Sequence, residues 1–295
     1  MEIREIEIFL AAAEELHFSR TAERLGISPA RVSQSIKKQE RRIGAPLFDR
    51  TTRAVRLSPL GEQLHQALKG GYRQIMQGIA TAQATAEGAE GTLTLGTVGP
   101  NVTQIKNVLG LFSARHPNAR LQHREIQPAS PLDSLLSGEL DVAHLWLPIR
   151  EPELTVRPTP HASDVLLMVS SDHPYAGRDT VCLEDLGDCV VVEGQSIPAY
   201  MEEVFNPYHT PSGRPVRRGP KVSTWQEALS AVSSGQATAG VTAEAAAFYP
   251  WPSLAFVRIH DAPRCQWAFA WRTSSETPLI RAFARAAADA QQPTG

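Results

Sequence analysis

The sequence predicts an α+β chain in three parts: a small helical head ending in a β-hairpin, a long helix, and an α/β domain of two lobes. Three observations carry this. Between Arg20 and Arg56 ten Lys/Arg stand against three acids, a net +7, in a chain whose formal charge is −2, so the remainder carries −9. An apolar stripe of Leu60, Leu64, Leu68, Tyr72, Ile75, Ile79, Ala82 and Ala86 repeats at threes and fours, the period of one helix face. Beyond residue 91, short apolar strands alternate with helical segments, which is the pattern of α/β layers.

Residues 3–14 read as an amphipathic helix with Ile3, Ile6, Leu10 and Ala13 inward. Ser19 is placed as the N-cap of a helix running to Leu25, and Gly26 supplies the positive φ that ends it. Ser28-Pro29 restarts the chain, because serine caps free amides and proline is tolerated at the first helical position. In the next helix Val32, Ile36, Gln39 and Ile43 share one face, and Ala30, Ser33, Gln34 and Lys37 share the opposite one. An outer face that is short and polar at its start and cationic further on suits the major groove. A solvated helix face would read the same way. The basic hairpin that follows makes the combination more specific. Leu47-Phe48 anchors it, Arg50, Arg53 and Arg56 decorate it, and Thr51-Thr52 sits at its tip.

The candidate DNA contacts are therefore Ser19 and Arg20, then Ser28, Pro29, Ala30 and Arg31 around the helix start. Ser33 and Gln34 are assigned to base edges and Lys37 and Lys38 to phosphates. On the wing the candidates are Arg50, Thr51, Thr52 and Arg53.

After the wing, Ser58 caps and Pro59 opens a helix over 59–87, about 43 Å long at 1.5 Å per residue. Such a helix has little protein of its own to cover its stripe, so pairing with a second copy is expected. Residues 87–91 read as a hinge. The expected divisions are 1–58, 59–90 and 91–295. Within the last, strands are expected at 92–97, 119–125, 142–147, 164–170, 189–193, 215–221, 239–242, 254–259 and 265–271. Helices alternate with them at 101–115, 131–137, 198–205, 225–234, 243–248 and 279–290, implying mainly parallel sheets. Pro-rich stretches near 160 and 263 are the crossings between lobe I, about 91–160 and 264–295, and lobe II, about 161–263.

Ligands of open α/β sheets lodge beyond the carboxyl ends of strands, where helix N-termini point their free amides. Four segments have that character and form the candidate small-molecule site: Thr97-Val98-Gly99-Pro100-Asn101, Pro128-Ala129-Ser130, Gln195-Ser196 and Ser223-Thr224-Trp225. The same residue types are also ordinary caps and turns. Trp146, at the end of the third strand, is either core or an aromatic wall of the cleft, with core slightly favoured.

No apolar run approaches the ~20 residues of a membrane span, and the N-terminus does not read as a signal peptide, so a cytoplasmic protein is expected. Cys182, Cys189 and Cys265 lack metal-ligand spacing and read as buried reduced thiols. The nine histidines are scattered, and no phosphate-cradling loop or nucleophile elbow is present. No catalytic residue, metal or cofactor is predicted.

Phe18-Ser19, Ala22-Glu23-Arg24-Leu25, Ser28, Val32-Ser33, Ile36, Glu40, Gly44, Leu47-Phe48, Arg50 and Leu57-Ser58-Pro59-Leu60-Gly61 resemble the N-terminal sixty residues of the LysR-type transcriptional regulators. Two positions depart from that pattern: Gln39 stands in place of a buried leucine, and Pro29 in place of a polar residue that often contacts DNA. The resemblance implies that helix 59–87 is a dimerisation linker and that 91–295 is a periplasmic-binding-protein-like effector domain. It also implies a ligand-responsive regulator that binds double-stranded DNA. Its other partners would be a carboxylate or aromatic effector, further copies of itself as a homodimer or homotetramer, and RNA polymerase. The alternative is an enzyme or solute-binding protein of two-lobed fold with an accessory DNA-binding head.

Overall fold

The computed structural model describes residues 1–50, 55–86, 91–248 and 251–290. The chain divides into two compact units, Met1–Ala86 and Glu87–Gly295.

In the first unit α1 (Ile3–Glu15), α2 (Phe18–Leu25) and α3 (Pro29–Ile43) close around Phe9, Ala12, Ala22, Val32, Ile36 and Leu47. Ile3, expected inward, is exposed. The buried run is instead Ile8 through Ala13, because α2, α3 and a later helix all pack on α1 and cover more than one of its faces. The N-cap of α2 is His17 rather than Ser19: its Nδ1 accepts from Arg20 N at 3.4 Å, leaving Ser19 exposed in the first turn. Ser28 caps α3, its Oγ accepting from Arg31 N at 3.3 Å with Pro29 at the first position. Gln39 is buried, and its Nε2 donates to Glu5 O at 2.9 Å and Ser35 Oγ at 3.2 Å. Where a leucine would add apolar contact, the amide ties α3 to α1. Ile43 is exposed, because α3 runs past the core at its C-terminal end.

The wing pairs β1 (Phe48–Arg50) with β2 (Val55–Leu57), antiparallel, Phe48 opposite Leu57. Glu40 Oε1 accepts from Leu47 N at 3.0 Å and Phe48 N at 3.3 Å, fastening the hairpin base to α3. Thr51, Thr52 and Arg53 lie outside the described residues.

Ser58 then starts α4 (Pro59–Ala86), donating to Pro46 O at 2.8 Å and accepting from Gly61 N at 3.0 Å. A Cβ on Gly61 would stand 2.1 Å from Leu47 O, far inside van der Waals contact, so only glycine lets the helix approach the hairpin base this closely. Leu64, Leu68 and Tyr72 pack on the head core. The expectation that α4 lacks cover of its own is thus corrected for its first half. Further along, Ile75 and Ile79 are 44% and 43% exposed.

Among the described residues the second unit holds two larger sheets and a two-stranded parallel pair. The first has the order β4-β3-β5-β13-β6: β3 (Gly91–Val98), β4 (Ala119–Ile126), β5 (Val142–Trp146), β6 (Leu154–Ser163) and β13 (Cys265–Arg272). A 3-10 turn, Gly99–Ile105, leads into α5 (Lys106–Arg115), which with α10 (Pro278–Ala290) covers this sheet through Phe112, Phe269 and Phe283. The short α6 (Asp133–Leu136) precedes β5.

The second sheet has the order β11-β7-β12-β8: β7 (Val165–Ser170), β8 (Thr180–Val181), β11 (Ala239–Thr242) and β12 (Leu254–Ile259). The parallel pair β9 (Val190–Gly194) and β10 (Arg217–Val222) joins it through a Val191–Thr238 bridge. Between these strands lie α7 (Ala199–Glu202), α8 (Trp225–Ser233) and α9 (Ala243–Phe248). Leu229 and Val232 of α8 pack on Met168, Val192 and Val241.

Both sheets are mixed rather than mainly parallel. β3 is parallel to β4 and β5, but β13 is antiparallel to β5 and β6, and β7 to β11 and β12. Alternation of strand and helix fixes the order of elements and leaves direction open where the chain changes sheet. It changes sheet between Ser163 and Val165, and returns between Ile259 and Cys265. Residues 157–160, expected as a crossing, lie inside β6. Pro158 and Pro160 are tolerated there because β6 is an edge strand, where missing N–H donors cost least.

Candidate functional site

The basic face of the head is built on α3. Ser28, Pro29, Ala30, Arg31, Gln34 and Lys37 are exposed and Ser33 is half-buried, so these candidates share one surface. Two of the candidate cations are exposed but also paired within the head. Lys38 Nζ lies 2.5 Å from Glu5 Oε1, and that hydrogen bond holds the Glu5 carboxyl below its usual range while raising the lysine. Arg20 donates to Glu15 O at 2.7 Å and pairs with its carboxylate at 3.5 Å. Arg31 and Lys37 make no ion pair among the described residues. The Arg50 backbone lies in β1; its side chain is outside the described residues.

In the second unit a narrow cleft opens where the two larger sheets meet. Val98, Gly99, Asn101, Pro128, Trp146 and Trp225 line it, and Ala129 and Thr224 line its extension. Trp146 is both core and wall: only 1% exposed, it contacts the cleft and donates Nε1–H to Met201 O at 3.0 Å. Thr97 does not line the cleft. It is fully buried, with Oγ1 2.6 Å from His123 Nε2. The Pro100 side chain lies outside the described ones.

The expected amide cradle is largely occupied by the chain itself. Trp225 N donates to Gln127 Oε1 at 3.0 Å, Ser223 N to Glu227 Oε2 at 2.7 Å and Glu227 N to Thr224 Oγ1 at 3.2 Å. Ser130 N is bonded to Gln127 O at 3.1 Å, Gln195 N to Val222 O at 3.0 Å and Ser196 N to Ala129 O at 2.9 Å. The Ser223 hydroxyl donates to Gln195 Oε1. These residues therefore close the rim of the cleft and latch one sheet to the other.

Phe205, Gly240, Trp267 and Glu125 also line the cleft, and sequence reasoning missed them. The signal available was Gly240 inside a strand, which often marks a close backbone approach. Here a Cβ would collide with Phe205 O. Trp267 is held by Ser163, whose Oγ accepts from its Nε1 at 2.9 Å and contacts His161 Nε2 at 3.2 Å. His161 in turn lies 3.1 Å from Glu244 Oε1.

All three cysteines are free; Cys182 is half-buried, and burial pushes the Cys189 thiol up to about 11 and the Cys265 thiol higher. Among the described residues no group is placed to hold a metal, and no helix is long and apolar enough to cross a membrane.

A winged helix-turn-helix with a basic outer face, joined to an α/β domain with a narrow aromatic-lined cleft, defines a DNA-binding regulatory architecture. Comparison with known proteins agrees. The model of the bacterial regulatory helix-turn-helix protein, lysR family, matches residues 3–62, and that of the LysR substrate binding domain matches 86–292. The chain belongs to the LysR family of transcriptional regulators. It is 29% identical over 287 residues to the HTH-type transcriptional regulator AlsR of Bacillus subtilis (strain 168), spanning 96% of this chain and 94% of that protein. To the regulator BudR of Raoultella terrigena it is 28% identical over 295 residues, spanning 96% and 99%. The crystal structure of CbnR, a LysR family transcriptional regulator, superposes with a TM-score of 0.72 at 21% identity, covering 99% of this chain and 100% of that one. CbnR complexed with its target DNA gives a TM-score of 0.68, again at 21% identity, covering 98% and 100%.

Proposed function

We propose that the chain regulates transcription from the cytoplasm by binding an interrupted, roughly dyad-symmetric DNA site as an oligomer, and that a small molecule in the cleft changes that binding. No catalytic step of its own is part of this reading, and RNA polymerase is the further partner that control of transcription requires. The carrying observation is the outer face of α3, where Gln34 and Lys37 are exposed while Lys38 and Arg20 are engaged within the head. Gln34 would reach base edges, and Arg31, Lys37 and the wing arginines would meet phosphate.

The cleft supports a ligand with an apolar or aromatic body. Trp146 Nε1 to Met201 O, Trp225 N to Gln127 Oε1, and Ser196 N to Ala129 O latch the sheets across it. A ligand entering there favours one arrangement of these latches over another, and differential affinity of that kind typically couples sites by ~1–3 kcal/mol.

Titrations of matched and mismatched duplexes at several salt concentrations test the DNA assignment. Gln34→Ala is expected to relax preference at one base position by ~1–3 kcal/mol. Lys37→Ala should weaken all duplexes and flatten the salt dependence by about one unit. Equal, sequence-independent losses for both would remove Gln34 from base readout.

A further inference from the structure

We propose that His161 and Glu244 form a proton-controlled latch across the cleft, fastened when the imidazole is charged and loosened when it is neutral, so that entry between the sheets depends on pH. The open space between the walls is about 70 Å³. That is room for a few water molecules, so anything larger enters only if a wall moves. Two of the walls are tied to one imidazole. His161 stands in β6 of the first sheet, and Glu244 in α9, which follows β11 of the second. Thr242 and Ala245, on either side of Glu244, line the cleft, and so does Trp267. His161 Nε2 lies 3.1 Å from Glu244 Oε1 and 3.2 Å from Ser163 Oγ, and that hydroxyl oxygen accepts from Trp267 Nε1 at 2.9 Å. The His161 and Trp267 rings have their centroids 6.4 Å apart.

Both partners are largely withdrawn from water, their side chains 26% and 17% exposed. The Oε2 of Glu244 is buried without a hydrogen-bond partner among the described residues, and His161 is the cation placed against its other oxygen. An imidazolium makes that hydrogen bond charge-assisted, roughly twice as strong as a neutral one. A neutral ring gives at most an uncharged donor, and with its proton on Nδ1 it turns a lone pair toward the carboxylate. The latch therefore tightens as pH falls and loosens as pH rises. The other groups around His161 do not take its place. Asp164 is paired with Arg264 at 3.1 Å and Arg258 at 3.8 Å, and Arg264 also donates to Ala162 O. From β5, His144 stacks on the same Trp267 ring, and burial pushes it down to about 3. From β13, burial and then Glu244 push the Cys265 thiol up. His144 and Cys265 are thus neutral across the range, about pH 5 to 8, in which an ordinary imidazole changes charge.

Fluorine NMR of the full chain labelled with 5-fluorotryptophan tests this without an effector. The Trp267 resonance, identified by its loss in Trp267→Phe, is expected to shift sigmoidally between about pH 8 and 5.5. Broadening of the Trp146 and Trp267 resonances by the neutral nitroxide TEMPOL should be about twofold or more greater at the higher pH, where the walls part more often. His161→Gln should remove both effects and His144→Phe neither. Glu244→Gln should keep the shift, because the imidazole still titrates, but lose the pH dependence of the broadening. A Trp267 shift that survives in His161→Gln assigns the titration to another group and overturns the latch. Broadening that is equal at the two pH values in the wild type, or equally pH-dependent in Glu244→Gln, overturns it as well. Each of these failures leaves the cleft as the ligand site proposed above, which is tested by ligand binding rather than by the motion of its walls.

Discussion

His144 lies between Trp267 and Phe269, ring centroids 5.1 and 5.0 Å away, with both ring nitrogens buried and unbonded. Desolvation, with a smaller contribution from His161, pushes its imidazole from 6.5 down to about 3. The folded pKa lies below the unfolded one, so the unfolded chain takes the proton first as pH falls. The stability contribution of neutral His144 is full above pH 6.5 and is lost progressively toward about 3. The expected outcome is that wild type loses roughly 2 kcal/mol more stability than His144→Phe between pH 7.5 and 5, measured as urea midpoints. Parallel losses would contradict the account. Residue-level legibility was uneven. Ser28, Pro29 and Gly26 were readable because capping is local chemistry. Glu125, Phe205 and Trp267 were not, because they reach the cleft from segments far apart in sequence, and no local pattern marks them.

Helix α4 divides into a half that packs on its own head and a half that carries exposed Ile75, Met76 and Ile79. Its period was legible in the sequence; which half is covered depends on α1, a tertiary fact. Two glycines in this helix make opposite predictions. Gly61→Ala forces a Cβ onto Leu47 O and is expected to cost ~1–3 kcal/mol, despite alanine's better helix propensity. At Gly71 a Cβ meets nothing within 4 Å, so Gly71→Ala should add ~0.5–1 kcal/mol. Denaturation midpoints of the two variants separate close approach from propensity, and similar shifts would remove the argument. For the outer half, we propose that Ile75 and Ile79 cover each other across two copies. Ile75→Lys with Ile79→Lys should sediment as a lighter species and bind a two-half-site duplex roughly a hundredfold more weakly, because the second head no longer binds at high effective concentration. A variant that keeps wild-type assembly would contradict it. The sheets teach a related lesson. Strand positions followed from apolar runs, but the antiparallel partners of β13 and β7 arise where the chain changes sheet, a choice that strand–helix alternation does not encode.

At the scale of the whole molecule, a head segment of net +7 is joined to a remainder of −9, so a polyanion is attracted to one part of the chain and repelled by the rest. That separation was legible from composition alone, as was the division into a small helical unit and a larger α/β one. The ligand chemistry was less legible: a carboxylate or aromatic effector was expected, and the structure adds that several amides at the cleft rim are bonded within the chain. The central claim is that this chain reads duplex DNA through two equivalent heads. Selection of binding sequences from random double-stranded DNA by the full chain tests it most directly. The account predicts enrichment of an inverted repeat whose half-sites lie whole helical turns apart, about 10 base pairs each, with affinity falling steeply as salt rises. A single asymmetric half-site, or binding with no sequence enrichment at any salt concentration, would contradict it.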